Sequence, residues 1–384
     1  YIKKEDYVNK KSYIDYKIFG DDLFNKDPDP RNRIQFVETS EKDIYGNEMV
    51  KIWHKLHHTT KLKMALNEIG IDVYNDIAPS VKFTDLLKNQ PDFKIEQELI
   101  KVGFLDIEVE TEHGFELLDV AGEKVNVITL KIKGDKIYTW CLGDFKTDDK
   151  NIVYKCFHNE KEMFYDFVQK WEELDIDVLS DWNGLAFDLP YIVKRMKNLR
   201  IPMAFIRRLS PFKLINERDR KNKFGKDYKT YDIIGISHLD YMELYVNYSW
   251  TPRDSYSLNN ICQIELGQGK LDYSEYGNLH RMYKEDFQKF VEYNIRDVTL
   301  LEDLDNKLQM IRLATHIAYK CCCNFEEVSS QIRTWDNFIY SNFNSKGLVL
   351  PPRPNVDVEK LMGGYVKLPT TGLYKYVVSF DVNS

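Results

Sequence analysis

Residues 104–110 read FLDIEVE. Asp106, Glu108 and Glu110 alternate there with Leu105, Ile107 and Val109. In a strand the carboxylates therefore share one face and the apolar side chains the other. Such a row is either the wet face of a half-buried strand or a platform for a hard cation, since Mg²⁺ takes oxygen ligands. Two further places supply carboxylates. Asp188 follows WNGLAF at the start of an apolar-periodic stretch, a position where Asp often caps a helix. Tyr293 and Asp297 stand i, i+4 in FVEYNIRDVTLLEDL and so share a helix face. Asp has poor propensity in mid-helix. Singly, each station has an ordinary explanation: a solvated edge, a cap, a surface acid. Together they match one chemistry. Two divalent ions roughly 3.5–4 Å apart can clamp the attacking and leaving oxygens of a phosphodiester during in-line displacement. Asp106, Glu108, Asp188 and Asp297 are four carboxylates able to hold such a pair, and Tyr293 could orient the attacking water.

The elements that must position these groups are legible from about residue 99. KVGFLDIEVE predicts a strand, followed by VNVITLKIKG (125–134) and KIYTWCLG (136–143), joined through Gly134-Asp135 as a hairpin. Residues 159–174 predict a helix, with Asn159 and Glu162 as a capping box and Phe164, Phe167, Val168 and Trp171 on one face. DVLSDW (177–182) predicts a short strand, and a helix after it would carry Pro190 in its first turn. A long helix is expected at about 283–309, with Phe287, Val291, Asn294, Val298 and Leu301 beside Asp297, which turns that carboxylate towards the sheet. This alternation is an α/β arrangement with a mixed sheet. Residues 1–98 are more mixed, with short strands and a helical stretch near 60–70. His54, His57 and His58 lie there with no Cys or carboxylate to complete a metal site.

The chain has 384 residues, 61 of them acidic against 54 Lys and Arg, for a net charge of −7. That balance argues mildly against a nucleic-acid binder. Local basic tracks at 194–200, 207–208 and 217–229 qualify it, although each also reads as a solvated surface. Aromatics make up 14%, enough for base stacking, though most such rings belong to cores. No apolar run reaches the 18 or so residues of a membrane span, and the N-terminal stretch is charged, so neither a span nor a signal peptide is expected. Six cysteines, three adjacent at 321–323, form no C-x-x-C pair and predict reduced thiols in a cytosolic protein. The chain begins with Tyr and stops at VVSFDVNS, which reads as one piece of something longer.

DIEVE, WNGLAFDLPYIVKRMKNL and YNIRDVTLL resemble the three exonuclease motifs of family B DNA polymerases. The motifs are D-x-E at Asp106 and Glu108, N-x-x-x-F-D at Asn183, Phe187 and Asp188, and Y-x-x-x-D at Tyr293 and Asp297, in order. Residues 255–273 and 362–384 look most like the replicative polymerases of large tailed, myovirus-type phages. The resemblance covers about 99–384, and 1–98 by position only. It implies an RNase H-like mixed sheet of the DEDDy exonuclease type, flanked by helices, with a smaller α+β N-terminal domain. The implied domains are 1–98 with 310–352, the exonuclease at 99–309, and the start of a polymerase palm at 353–384. It implies 3′→5′ proofreading with two Mg²⁺ or Mn²⁺ ions. Asp106, Glu108 and Asp297 would hold the water-activating ion, and Asp106 with Asp188 the second. Tyr293 would position the nucleophile. Asn183 and Phe187 would shape the pocket for the terminal nucleotides. Residues 215–233 read as two strands around a basic turn, where the phage enzymes carry a strand-separating hairpin. Arg220, Lys221, Lys223, Phe224 and Lys226 would there meet backbone and bases.

Asp381 in SFDVNS resembles the first polymerase metal ligand, but one carboxylate does not make a polymerase site. The chain is thus expected to hydrolyse DNA ends and to need a C-terminal polymerase half for synthesis. Implied partners are single-stranded or primer–template DNA, that half, and a sliding clamp, in the cytoplasm of an infected bacterium. The rival readings are a free-standing exonuclease of the same carboxylate type and a catalytically silent DNA-binding module.

Overall fold

The computed structural model describes residues 1–19, 33–55, 58–75, 77–94, 96–110, 120–221, 227–352 and 372–378. The N-terminal part holds β1 (Ile2–Lys3), β2 (Gln35–Asp43) and β3 (Glu48–Trp53), and a helix at Thr59–Glu68. The main sheet then collects β4 (Val102–Val109), β5 (Val125–Ile132), β6 (Ile137–Cys141), β7 (Ile152–Cys156) and β8 (Val178–Ser180). A separate antiparallel ribbon follows, β9 (Ile215–Lys221) and β10 (Asp227–Ile233). The last strands are β11 (Ser237–His238) in the main sheet and β12 (Leu348–Val349) in the N-terminal one.

The main sheet runs β11-β8-β4-β5-β6-β7. β5 is antiparallel to both β4 and β6, while β8 and β11 run parallel on the other side of β4. The β5–β6 hairpin turns at Gly134, whose φ of +71° a residue with a Cβ adopts only under strain. β5 is buried at every position, as a central strand covered on both faces must be.

Each face has its own core. On one, Leu105, Ile107 and Val109 of β4 meet Phe164, Phe167, Val168 and Trp171 of the Glu160–Leu174 helix. Asn159 caps that helix, its side chain accepting from the N–H groups of Lys161 and Glu162. On the other face lies the helix Phe287–Leu308. It starts later than periodicity suggested, because Asp286 ends a short helix at Leu279–Glu285 and caps the next, accepting from Lys289 N at 3.0 Å. Val298, Leu301 and Leu304 pack with Phe104 and Val102. Lys131 of β5 pairs with Glu302 at 3.0 Å, and Lys133 with buried Asp305, tying this helix to the sheet.

The chain returns to its N-terminal part after this helix. Met310, Ile311, Ala314 and Ala318 of the next helix still pack against the β4 side. β12 then joins β2 in parallel, and Asn75 and Leu350 exchange two hydrogen bonds. Fully buried Asp85 accepts from Ser341 Oγ at 2.5 Å and Asn344 Nδ2 at 2.7 Å. Asp85→Ala would strand these donors, a loss of about 3 kcal/mol that urea unfolding would detect. All six cysteines are free thiols. Among the described residues no helix is long and apolar enough to cross a membrane.

Candidate active site

The acidic face of β4 is not a wet edge. Asp106 and Glu108 are only partly exposed, and the Phe287–Leu308 helix packs over them. Asp297, 1% exposed, descends from that helix. Carboxylate oxygens of Asp106, Glu108 and Asp297 all lie within 4.8 Å of one another. Asn294, one turn before Asp297, donates from Nδ2 to Asp106 Oδ2 at 2.6 Å. Tyr293 is 5% exposed and reaches the same recess.

Asp188 arrives from the opposite edge of β4. β8 pairs with β4 only as far as Phe104–Ser180, so the β4 backbone beyond is open on that side. Asp188 Oδ1 accepts the N–H of Ile107 there at 3.1 Å. It is therefore the first residue of the Asp188–Asn198 helix and a partner of the sheet, rather than that helix's side-chain cap. Its oxygens are outside the 4.8 Å group, but its charge is felt by Asp106.

Lys270, which the sequence did not single out, stands among these acids. Its backbone N–H is held by Asn259 Oδ1 at 2.9 Å. Its ammonium pairs with Asp297 Oδ2 and donates to Tyr293 OH at 3.2 Å. Burial and the neighbouring carboxylates drive the site's titration. Burial first, then Asp297, Asp188 and Glu108, hold the Asp106 carboxyl well above its ordinary range. Burial and then Asp297 push Glu108 up to about 8, against the pull of Lys270. Burial raises Asp297 as well, with Lys270 opposing.

A raised carboxyl pKa means that the folded protein binds a proton the unfolded chain releases. For Glu108 that holds between its ordinary 4.5 and about 8, so the stability of metal-free protein falls as pH rises through this window. Glu108→Gln should raise the metal-free melting temperature at pH 8 and leave it nearly unchanged at pH 4. An unchanged difference across that range would refute this account.

The donor set suits a hard cation. It is all oxygen, it already surrounds one ammonium, and Asp297 Oδ1 is buried without a hydrogen-bond partner. A cavity of about 640 Å³ opens beside it, lined by Trp182, Asn183, Tyr228, Tyr256, Asn259 and Lys270 among others. Asn183 sits there with φ +67°. Phe187 packs on Tyr191, 5.6 Å between rings, and joins the main core instead of the cavity lining. Arg220 stands opposite Tyr228 in the β9–β10 ribbon, and exposed Lys221 pairs with Asp227 at 3.6 Å. Lys223, Phe224, Lys226 and Asp381 lie outside the described residues.

Comparison with known proteins settles the family. The model of "DNA polymerase family B, exonuclease domain" matches residues 42–261. The chain belongs to the family B DNA polymerases. Its main sheet is thus the RNase H-like sheet of a family B exonuclease domain. The DNA-directed DNA polymerase of Escherichia phage RB69 is 28% identical over 418 residues, covering 98% of this chain and 46% of the phage enzyme. That of Enterobacteria phage T4 is 30% identical over 233 residues, 61% of this chain and 26% of the relative. DNA polymerase II of Escherichia coli K12 is 24% identical over 304 residues, covering 78% and 36% respectively. The chain therefore spans less than half the length of these polymerases.

In this family B domain, motif reading passed over Lys270, Asn294 and three buried groups behind Asp188. Those three are Asp181, His238 and Asp240. Asn294 was legible as a polar residue on the apolar face of the long helix. Asp240 caps the Tyr241–Tyr248 helix, accepting from the N–H groups of Met242 and Glu243, a role legible as an Asp before a helix, whereas Asp181 follows β8 and its partner is revealed only by strand pairing.

Proposed function

We propose that this chain removes nucleotides from the 3′ ends of single-stranded or frayed DNA by metal-dependent hydrolysis. The observation that carries the reading is the convergence of Asp106, Glu108 and Asp297 within 4.8 Å, on a family B exonuclease domain. Asp106, Glu108 and Asp297 would hold one Mg²⁺ or Mn²⁺, and Asp106 with Asp188 a second. Bound there, the ions would supply an activated water and charge neutralisation at the phosphodiester.

The protein's own groups do the rest. Tyr293, with its hydroxyl fixed by Lys270, orients the nucleophilic water. Lys270 offsets the negative charge of the cluster before an ion arrives. The aromatic-lined cavity beside Lys270 receives the terminal bases by stacking, which every base tolerates. Asn183 lines that cavity and Arg220 reaches its rim through Tyr228. Phe187 supports the wall from within the core. Lys221 of β9, with Lys223, Phe224 and Lys226 that follow it in the sequence, meets the phosphate backbone and bases.

We assign the exonuclease to 99–309 and a second unit to 1–98 with 310–352, on the strength of the β12–β2 pairing and the Asp85 contacts. Residues 353–384, with Asp381, we assign to the start of a polymerase palm. Synthesis on primer–template DNA would need a C-terminal polymerase half, and that half and a sliding clamp are the further partners we propose. A 5′-labelled oligonucleotide incubated with Mg²⁺ tests the reading. A ladder shortening from the 3′ end and abolished by EDTA supports it; tight binding with no ladder replaces it with a binding module.

A further inference from the structure

Behind Asp188 lies a buried polar cluster that the reaction as described does not use. β8 and β11 are parallel neighbours, with Leu179 and His238 in register. Asp181 follows β8 and is fully buried. His238 ends β11 with a side chain 10% exposed, and its Nε2 meets Asp181 Oδ2 at 2.6 Å. The turn from Asp181 to Asp188 hangs on this pair and on Asp240. Gly184 N donates to Asp181 Oδ1 at 3.1 Å. Asn183 N donates to Asp240 Oδ1 at 3.0 Å and Leu185 N to Asp240 Oδ2 at 3.4 Å. Leu189 N then donates to Gly184 O at 3.2 Å, which passes the placement of Gly184 into the first turn of the Asp188 helix. The fit is close: a Cβ on Gly184 would run into the Asp181 carboxylate.

The cluster is also electrical. Burial and then the charge of Asp181 push Asp240 up to about 7. Burial, and more weakly Arg220 of the β9–β10 ribbon, oppose protonation of the imidazole, while Asp181 and then Asp240 favour it and win, raising its proton affinity.

We propose that the Asp181–His238 pair is a positioning element for Asp188, fixing the turn that lets the carboxylate cluster take divalent ions tightly. The inference rests on the proposed use of Asp188 as a metal ligand. Partners that orient ligands from behind typically change metal affinity ten- to hundredfold when lost.

The test uses the whole chain and Mn²⁺ alone, with free Mn²⁺ followed by electron paramagnetic resonance. His238→Leu should weaken Mn²⁺ binding about ten- to hundredfold. His238→Gln, which can still donate to Asp181, should recover part of that loss. Asp181→Asn, which keeps an acceptor for Gly184 but drops the charge, should fall between them. Circular dichroism in EDTA should match wild type in all three, separating metal placement from general damage to the fold. Folded variants with wild-type Mn²⁺ affinity overturn the proposal, as does a wild type that binds no Mn²⁺. If His238→Leu fails to fold, the other two variants decide. A wild type that binds Mn²⁺ but degrades no DNA refutes the exonuclease reading and leaves this inference to the Mn²⁺ titrations.

Discussion

Asp106→Ala should fold normally and lose 3′ degradation by a factor of ~10³ or more. Asp106 is the carboxylate both ion positions would share, so its removal disturbs the whole donor set. Metal-based charge stabilisation contributes several kcal/mol, and each 1.36 kcal/mol is tenfold in rate. The fold should tolerate the change because Asp106 stands among like charges. Asp297, Asp188 and Glu108 all raise its proton affinity, so the metal-free protein loses repulsion along with the one bond from Asn294. The melting temperature in EDTA should therefore move little. Single-turnover digestion of a 5′-labelled oligonucleotide in Mg²⁺ measures the rate, and oligonucleotide binding in EDTA should match wild type. Digestion at the wild-type rate would remove Asp106 from the chemistry.

Lys270→Met should destabilise the metal-free protein by about 3 kcal/mol, the low end of the cost of breaking a buried ion pair by deleting one partner. The ammonium is 25% exposed and the Asp297 side chain 2%, so solvent does little to replace it. Saturating Mn²⁺ should narrow that gap, since a bound ion stabilises in proportion to its affinity and would replace the missing positive charge in the variant. The variant should gain more from Mn²⁺ than wild type does, because in wild type the ion enters a cluster that already holds a cation. Urea unfolding in EDTA and in Mn²⁺ supplies the four numbers required. Equal stability of variant and wild type in EDTA would show that Lys270 does not neutralise the cluster.

The local elements and the identity of the acids are legible in residues a few positions apart. Alternation put Asp106 and Glu108 on one face of β4, and the i, i+4 spacing put Tyr293 and Asp297 on one face of a helix. The Gly134 hairpin, the Asn159 cap and the helix at 160–174 were legible for the same reason. Each depends on residues a few positions apart. The motif order carried the family, because its spacing pattern survives substantial divergence.

Tertiary structure decided what those residues meet. Whether the acidic face of β4 is wet or covered depended on where a helix nearly 200 residues later would lie, as the Asn294–Asp106 bond shows with its separation of 188 positions. The partner of Asp188 is a backbone N–H 81 positions away, exposed only because β8 stops short of it. Lys270 carries no local pattern, and its role comes from the field of carboxylates delivered by two other elements. Asp181 and His238 are brought together by parallel strands, whose pairing needs a long crossover and leaves no short-range signature. Charges are the last features to be read from a chain, since their energies depend on burial and on neighbours that only the folded arrangement supplies.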